Sequence, residues 1–329
     1  MRSQRLLLGL STALTVAAPA SASSLYAVPK YAAMLMNAQT GEILYARQAD
    51  APRFPASITK VLTLYLAFEQ LAKGNMRGDD PVIVSRHAAM QAPSKLGLRA
   101  GQSIPLKTAI DVIATKSAND IAVAVAEHIA GSESAFAAQM TATARRLGMM
   151  SSQFVNATGL PDARQLTTAR DIATLSRAVV RDFPQFYRVF SQVSVDYEGR
   201  AIENHNHLLT TLPGVDGIKT GFTSAAGFTL AASKSENGTR LIAVVLGGPS
   251  RLARDGNVTN LLDTGFYVLG QRARGERTTV AENLAEPEDL NDATLAGLSE
   301  TATADQPSLA MLSRVPPLLA RGPASGRIH

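Results

Sequence analysis

The hydrophobic pattern of this chain shifts from a mostly helical period to a strand period at Val215. Upstream, apolar residues recur mostly at helical spacing; downstream they fall into short extended runs. Val215 to Thr220 reads as one strand. Phe228 to Ser233 and Leu241 to Leu246 read as two more, closed into a hairpin by Asn237-Gly238. That dipeptide suits a two-residue hairpin because both of its residues tolerate positive φ. An earlier hairpin is expected over 32–47, with Asn37 to Gly41 as its turn. The helical stretches between are Ala56 to Leu71, introduced by Pro55; two segments in 106–131, interrupted by Ser117-Ala118-Asn119-Asp120 and ended at Gly131; 133–148, stopped at Gly148; and Thr168 to Val180, capped by Thr168. Val258 to Leu269 reads as a last helix. Strands, then many helices, then strands, then a helix predict the α+β class: an antiparallel sheet flanked by helices, with an all-helical lobe inserted in the middle.

Composition narrows the chemistry. The 329 residues contain no cysteine, which removes disulfides, cysteine-ligated zinc, iron–sulfur clusters and a thiol nucleophile. There is no Trp, aromatics make up 5%, and Lys and Arg are dispersed, so nucleic acid is not an expected partner. No P-loop, H-E-x-x-H helix or G-x-S-x-G elbow is present, and no cofactor or metal is expected. His205-Asn206-His207 could put two imidazoles on one face of a strand, but zinc needs a third ligand and none is evident.

The two ends differ from the middle. Arg2 and Arg5 precede an apolar run from Leu6 to Ala18, followed by Ala20-Ser21-Ala22. This reads as an export signal over 1–22, cleaved near Ala22; an uncleaved anchor is the alternative. Cleavage removes two arginines and no acid, taking the formal charge from +5 to +3. The expected location is periplasmic or otherwise extracytoplasmic, with a core rather than cross-links supplying stability. From 276 to 305 there are eight acids and one base, and 306–329 hold four prolines. Residues 276–329 are therefore expected to be a disordered tail, leaving 23–275 as the folded domain. Leu309, Met311, Leu312, Leu318 and Leu319 could touch a membrane, but the Pro316-Pro317 pair breaks any long amphipathic helix, so a stable anchor is not expected.

Three short polar stretches could carry chemistry. In Ser57-Ile58-Thr59-Lys60, positions i and i+3 share a helix face, so the hydroxyl and the amine can meet. A serine needs an adjacent base, and Lys60 can be that base only where burial or a second cation disfavours its protonated form. A capped, solvent-facing helix would read the same way. Ser117-Ala118-Asn119 lies between two helices, in a loop expected to be exposed at the edge of the lobe. Ser117 could relay protons to a leaving amine and Asn119 could hold a substrate amide, or either could merely cap the next helix. Lys219-Thr220-Gly221 ends a strand. Lys219 could place a positive charge in a cleft, Thr220 offers a hydroxyl, and Gly221 admits a second backbone, such as an extended substrate. An ordinary edge-strand lysine is the alternative.

The three occur in order, separated by 60 and 102 residues. This set resembles that of the penicillin-recognising serine enzymes. Pro55 to Lys60, Ser117 to Asp120, Ala144 to Met149 and Val215 to Thr223 together resemble one branch, the D-alanyl-D-alanine carboxypeptidases of the low-molecular-mass penicillin-binding proteins (peptidase family S11). The resemblance spans roughly 25–270. It implies a β-lactamase/transpeptidase-like fold, acylation of Ser57, proton transfer by Lys60 and Ser117, and substrate contact by Asn119. It also implies an oxyanion hole from the backbone N–H groups of Ser57 and Phe222, with Lys219, Thr220, Gly221, Thr223 and Arg254 around the substrate's carboxylate end.

The implied activity is removal of the terminal D-Ala from peptidoglycan stem pentapeptides, with covalent binding of β-lactam inhibitors. A DD-endopeptidase uses the same machinery. A β-lactamase fits less well, because no E-x-x-L-N stretch lies between Asn119 and Lys219. A catalytically inactive wall-binding protein fits less well again, because the set is complete. Phe222 stands where many members have His, and the acidic, proline-bearing stretch after 275 does not resemble the second β-rich domain and membrane anchor of many members, so neither is expected here.

Overall fold

The structure, a computed structural model, describes residues 30–285. The predicted export signal and the chain beyond 285 lie outside the described residues. The described chain opens with two strands, β1 (Ala32–Asn37) and β2 (Ile43–Arg47). Asn37 turns it between them, its Oδ1 accepting from the N–H groups of Gln39 and Thr40 at 2.9 and 3.0 Å. A 3-10 turn, Ala56–Ile58, leads into α1 (Thr59–Ala72).

The helical lobe follows. β3 (Pro81–Ile83), α2 (Arg86–Ala89) and β4 (Ser103–Pro105) form its outer edge. Then come α3 (Leu106–Thr115), α4 (Asn119–Ala130), α5 (Glu133–Leu147), α6 (Ala169–Asp182) and α7 (Pro184–Tyr187). Gly131 and Gly148 stop α4 and α5 at φ +77° and +90°, the left-handed region that lets glycine end a helix. Every residue from Asn119 to Ala126 is buried, so α4 is the lobe's central rod. A short ribbon, β5 (Ser194–Tyr197) with β6 (Arg200–Glu203), and one turn of helix, α8 (Leu208–Thr211), return the chain to the sheet.

β7 (Val215–Thr223), β8 (Gly227–Glu236) and β9 (Thr239–Gly248) complete a five-stranded antiparallel sheet, ordered β2-β1-β9-β8-β7. Asn237 and Gly238 close the last hairpin at φ +49° and +79°. α9 (Arg251–Ala273) and α10 (Val280–Asn283) end the described chain.

The sheet is covered on both faces. Met34, Met36, Ile242, Val244 and Leu246 point into one core with the lobe; Leu35, Leu241, Ala243 and Val245 point into the other with Val258, Leu261 and Leu262 of α9. That is why the central strands read as unbroken apolar runs rather than an alternation.

Two boundaries differ from the sequence expectation. α9 starts seven residues before Val258, because Ser250 caps it by accepting from the N–H of Ala253 at 3.0 Å. Residues 276–285, assigned above to the tail, fold back as α10. Thr279 and Glu282 make a reciprocal capping box, and fully buried Val280 joins the α9 side of the core. Leu262→Ala, which opens a cavity between α9 and the sheet, is expected to cost about 2–5 kcal/mol in thermal unfolding.

Candidate active site

The turn that carries Ser57 is held under strain. Ala56 sits at φ +47°, which alanine rarely adopts, and its backbone is pinned from the side by Gly159. A Cβ on Gly159 would fall 1.8 Å from the Ala56 carbonyl oxygen; one on Gly221 would fall 2.8 Å from the Ser57 nitrogen. The backbone that approaches Gly221 is thus the protein's own serine turn.

One helical turn later, Lys60 enters the core with no exposed surface. Its Nζ lies 3.1 Å from Ser57 Oγ, 2.7 Å from Asn119 Oδ1 and 2.6 Å from the main-chain oxygen of Thr158. Three acceptors match the three hydrogens of an ammonium group. Burial nevertheless pushes the Lys60 pKa well below the usual lysine value; the charge of Lys219 pushes the same way, and the Asp120 carboxylate opposes both. A lysine so placed can lose its proton and accept one from Ser57.

The Ser117 segment departs from expectation. It is buried rather than exposed, because the segment at 92–97 folds over it. Asp120 accepts from the N–H groups of Leu96 and Gly97 at 2.9 and 2.7 Å, and the Asn119 N–H donates to the Ser94 carbonyl at 2.7 Å. Asn119 spends its side chain on the protein itself, accepting from Lys60 and donating to the Ala92 carbonyl at 2.8 Å. Ser117 takes φ +63°.

Lys219 is likewise buried beneath the cleft wall. Its pKa is pushed down to about 7, first by burial and then by Arg254. The Lys219 Nζ and Ser117 Oγ are both buried without a hydrogen-bond partner. Folding tolerates such orphaned groups rarely, and two in one place mark a site built for a ligand. Arg254 is held by Asp255 at 2.7 and 2.9 Å and donates to the Thr229 carbonyl at 3.3 Å.

These groups converge on one cleft of about 280 Å³. Eight of the ten residues singled out from the sequence line it: Ser57, Ser117, Asn119, Thr220, Gly221, Phe222, Thr223 and Arg254; Lys60 and Lys219 stand buried behind. Phe222 packs against Phe228 with ring centroids 4.4 Å apart and planes tilted by 34°. Thr223 Oγ1 accepts from the Ala226 N–H at 3.0 Å.

Sequence reasoning missed the loop around Thr158, which supplies the third acceptor for Lys60. Its one signal was Asn156 followed by Gly159: Asn156 Oδ1 accepts from the N–H groups of Thr158 and Gly159 at 3.2 and 2.8 Å, an Asx turn. His205 and His207, weighed from the sequence only as two zinc ligands on a strand, line the cleft from an irregular segment instead. Partial desolvation and the charges of Lys219, Lys116 and Arg251 push the His205 pKa down to about 4. Among the described residues no three potential ligands cluster to hold a metal ion.

The family model described as D-alanyl-D-alanine carboxypeptidase (Peptidase S11) matches residues 17–250. The chain belongs to that family. It is 35% identical over 239 residues to the D-alanyl-D-alanine carboxypeptidase DacF of Bacillus subtilis, covering 71% of this chain and 61% of that one. Among solved structures, penicillin-binding protein 6B of Escherichia coli is 35% identical with a TM-score of 0.68, covering 71% and 76%. Penicillin-binding protein D2 of Listeria monocytogenes in its cefotaxime-bound form is 28% identical with a TM-score of 0.66, covering 71% and 96%. The chain spans about three fifths of the DacF length.

Two predictions test this geometry. Gly159→Ala, at φ +85° and against the Ala56 carbonyl, should strain the serine turn and cost about 1–3 kcal/mol in thermal unfolding with the fold retained by circular dichroism. Lys219→Met should raise the melting temperature by roughly 5 °C or more at pH 6. A lysine pKa lowered to about 7 means the unfolded chain holds more protons between about pH 7 and 10.5, so Lys219 destabilises fully below that window and less as pH rises through it. The gain from Lys219→Met should therefore shrink toward pH 10.

Proposed function

We propose that this chain is an exported serine DD-carboxypeptidase that removes the terminal D-Ala from peptidoglycan stem pentapeptides. The observation that carries the reading is Lys60: fully buried, depressed in pKa, and 3.1 Å from the Ser57 hydroxyl. In the proposed reaction, Lys60 takes the Ser57 proton as Oγ attacks the scissile carbonyl. The backbone N–H groups of Ser57 and Phe222 stabilise the tetrahedral oxyanion. Ser117, whose buried Oγ has no other partner, passes a proton to the leaving nitrogen. Asn119 fixes Lys60 between Ser57 and the lobe and borders the substrate. Lys219, with Thr220, Thr223 and Arg254, receives the terminal carboxylate; Lys219 is the unpartnered charge there, since Arg254 already shares its own with Asp255.

Water then releases the acyl group. Among the described residues that line the cleft none is acidic, so no carboxylate stands by to activate that water. This supports a long-lived penicillin adduct over β-lactamase turnover. The cefotaxime-bound relative and the penicillin-binding names of the neighbours support β-lactams as ligands. The basic and apolar sequence at 1–22 supports export to the periplasm or its equivalent.

Incubation with a labelled penicillin should leave a stable adduct on wild type and none on Ser57→Ala, and the wild type should release D-Ala from a pentapeptide. Labelling of Ser57→Ala at the wild-type rate would sink the assignment. The acylation rate should fall as pH drops and Lys60 takes up its proton, and Lys60→Arg, which cannot deprotonate, should slow acylation by at least about 1000-fold.

A further inference from the structure

The loop that gives Lys60 its third acceptor is held almost entirely by its own side chains. It joins α5 to α6, and five successive N–H groups in it, those of Val155 to Gly159, all find side-chain acceptors. Gln165 Oε1 accepts from Val155 and Asn156 at 2.9 and 3.0 Å. Asn156 Oδ1 accepts from Thr158 and Gly159 at 3.2 and 2.8 Å. Both acceptors belong to the loop. The N–H of Ala157 is the exception: it donates outside the loop, to Glu133 Oε1 at 3.0 Å.

Glu133 is the first residue of α5, and its side chain is 14% exposed. Its other oxygen, Oε2, lies 2.7 Å from Nε2 of His87 on α2, so the carboxylate is held on both sides. The two carbonyls that follow the Ala157 N–H are held by α1 instead. Thr63 Oγ1 donates to the Ala157 oxygen at 2.7 Å, and Lys60 Nζ donates to the Thr158 oxygen at 2.6 Å. Residues 60 and 63 share a helix face, so one face of α1 grips two consecutive carbonyls. Ala157 and Thr158 are thereby clamped between α5 and the helix that carries the base. Both are buried, so an Ala157 N–H deprived of Glu133 finds no water to replace it and the loop must shift.

We propose that Glu133 is a positioning residue for acylation: by fixing the Ala157 N–H it sets the Thr158 carbonyl against the Lys60 amine. Glu133 does not line the cleft and acts only through this loop. With Lys60 taking the Ser57 proton, the peptidase reading on which this rests, the contact has a direction. The Thr158 oxygen accepts from the amine and so favours its protonated form, beside Asp120, which acts the same way, and against burial and Lys219. His87 is the titratable group that meets Glu133 itself. Withdrawing the Thr158 oxygen lowers the proton affinity of Lys60 further and makes it a weaker, less well aimed base.

The test follows acylation of Ser57 in the full chain by a labelled penicillin across pH. Glu133→Asp keeps the charge and shortens the reach, Glu133→Gln keeps the reach and the acceptor and loses the charge, and Glu133→Ala loses both. Glu133→Ala and Glu133→Asp should acylate about tenfold more slowly on the alkaline plateau, and the midpoint of the acid limb should move down by about half a pH unit or more. Glu133→Gln should stay within about twofold of wild type, with its midpoint unmoved. A merely structural role would lower the melting temperature and leave the midpoint in place. A wild-type midpoint and plateau in Glu133→Asp, or failure of Glu133→Gln to restore them, overturns the positioning role while labelling of wild type still upholds the peptidase. Failure of penicillin to label wild type overturns the peptidase reading itself, and the positioning role with it.

Discussion

The structure turns on one buried amine. Lys60 is a charged residue type carried into the core by the first turn of α1, and it is tolerable there only because three oxygens from three separate parts of the chain meet it. Ser57 comes from the turn before α1, Asn119 from the start of the central helix, and Thr158 from the loop after α5. Fixing the amine therefore fixes how the serine turn, the central helix of the lobe and that loop sit against one another. The same burial that makes the amine costly makes it a base, so stability and reactivity draw on one arrangement.

Strain collects at the same place. Ala56 and Ser117, both non-glycine, adopt positive φ beside the two hydroxyls proposed to move protons. Gly159 and Gly221 permit the close approaches that hold the serine turn between loop and strand. The unpartnered Lys219 amine and Ser117 hydroxyl add further cost. The well-packed two-sided sheet offsets these local penalties: Ala243 and Val245 bury one of its faces, Val244 and Leu246 the other.

Much of this was legible beforehand because it depends on local rules. Asn237-Gly238 closes a hairpin by its own backbone preference, Gly131 and Gly148 end helices by theirs, and Ser57 and Lys60 meet because three residues apart share a helix face. What failed was what depends on distant partners. The Ser117 segment looked like an exposed polar loop; residues 92–97, folded over it, bury it through Asp120. Residues 276–285 looked like the start of an acidic tail; Val280 finds a slot on the α9 side of the core. The start of α9 was hidden because its first turns are polar and carry Gly256, so the apolar period begins only at Val258.

The sequence by itself determined the alternation of strands and helices, the family, and the three polar stretches, because each is written in residues close together along the chain. Only the tertiary structure decided that Thr158 supplies the third acceptor of Lys60, that Asn119 is committed to that lysine, that Lys219 stands behind the cleft without a partner, and that Glu133 reaches the Thr158 loop from another helix. Burial and proximity between residues far apart in the chain set an amine's proton affinity and a loop's anchorage, and neither has a local signature to read.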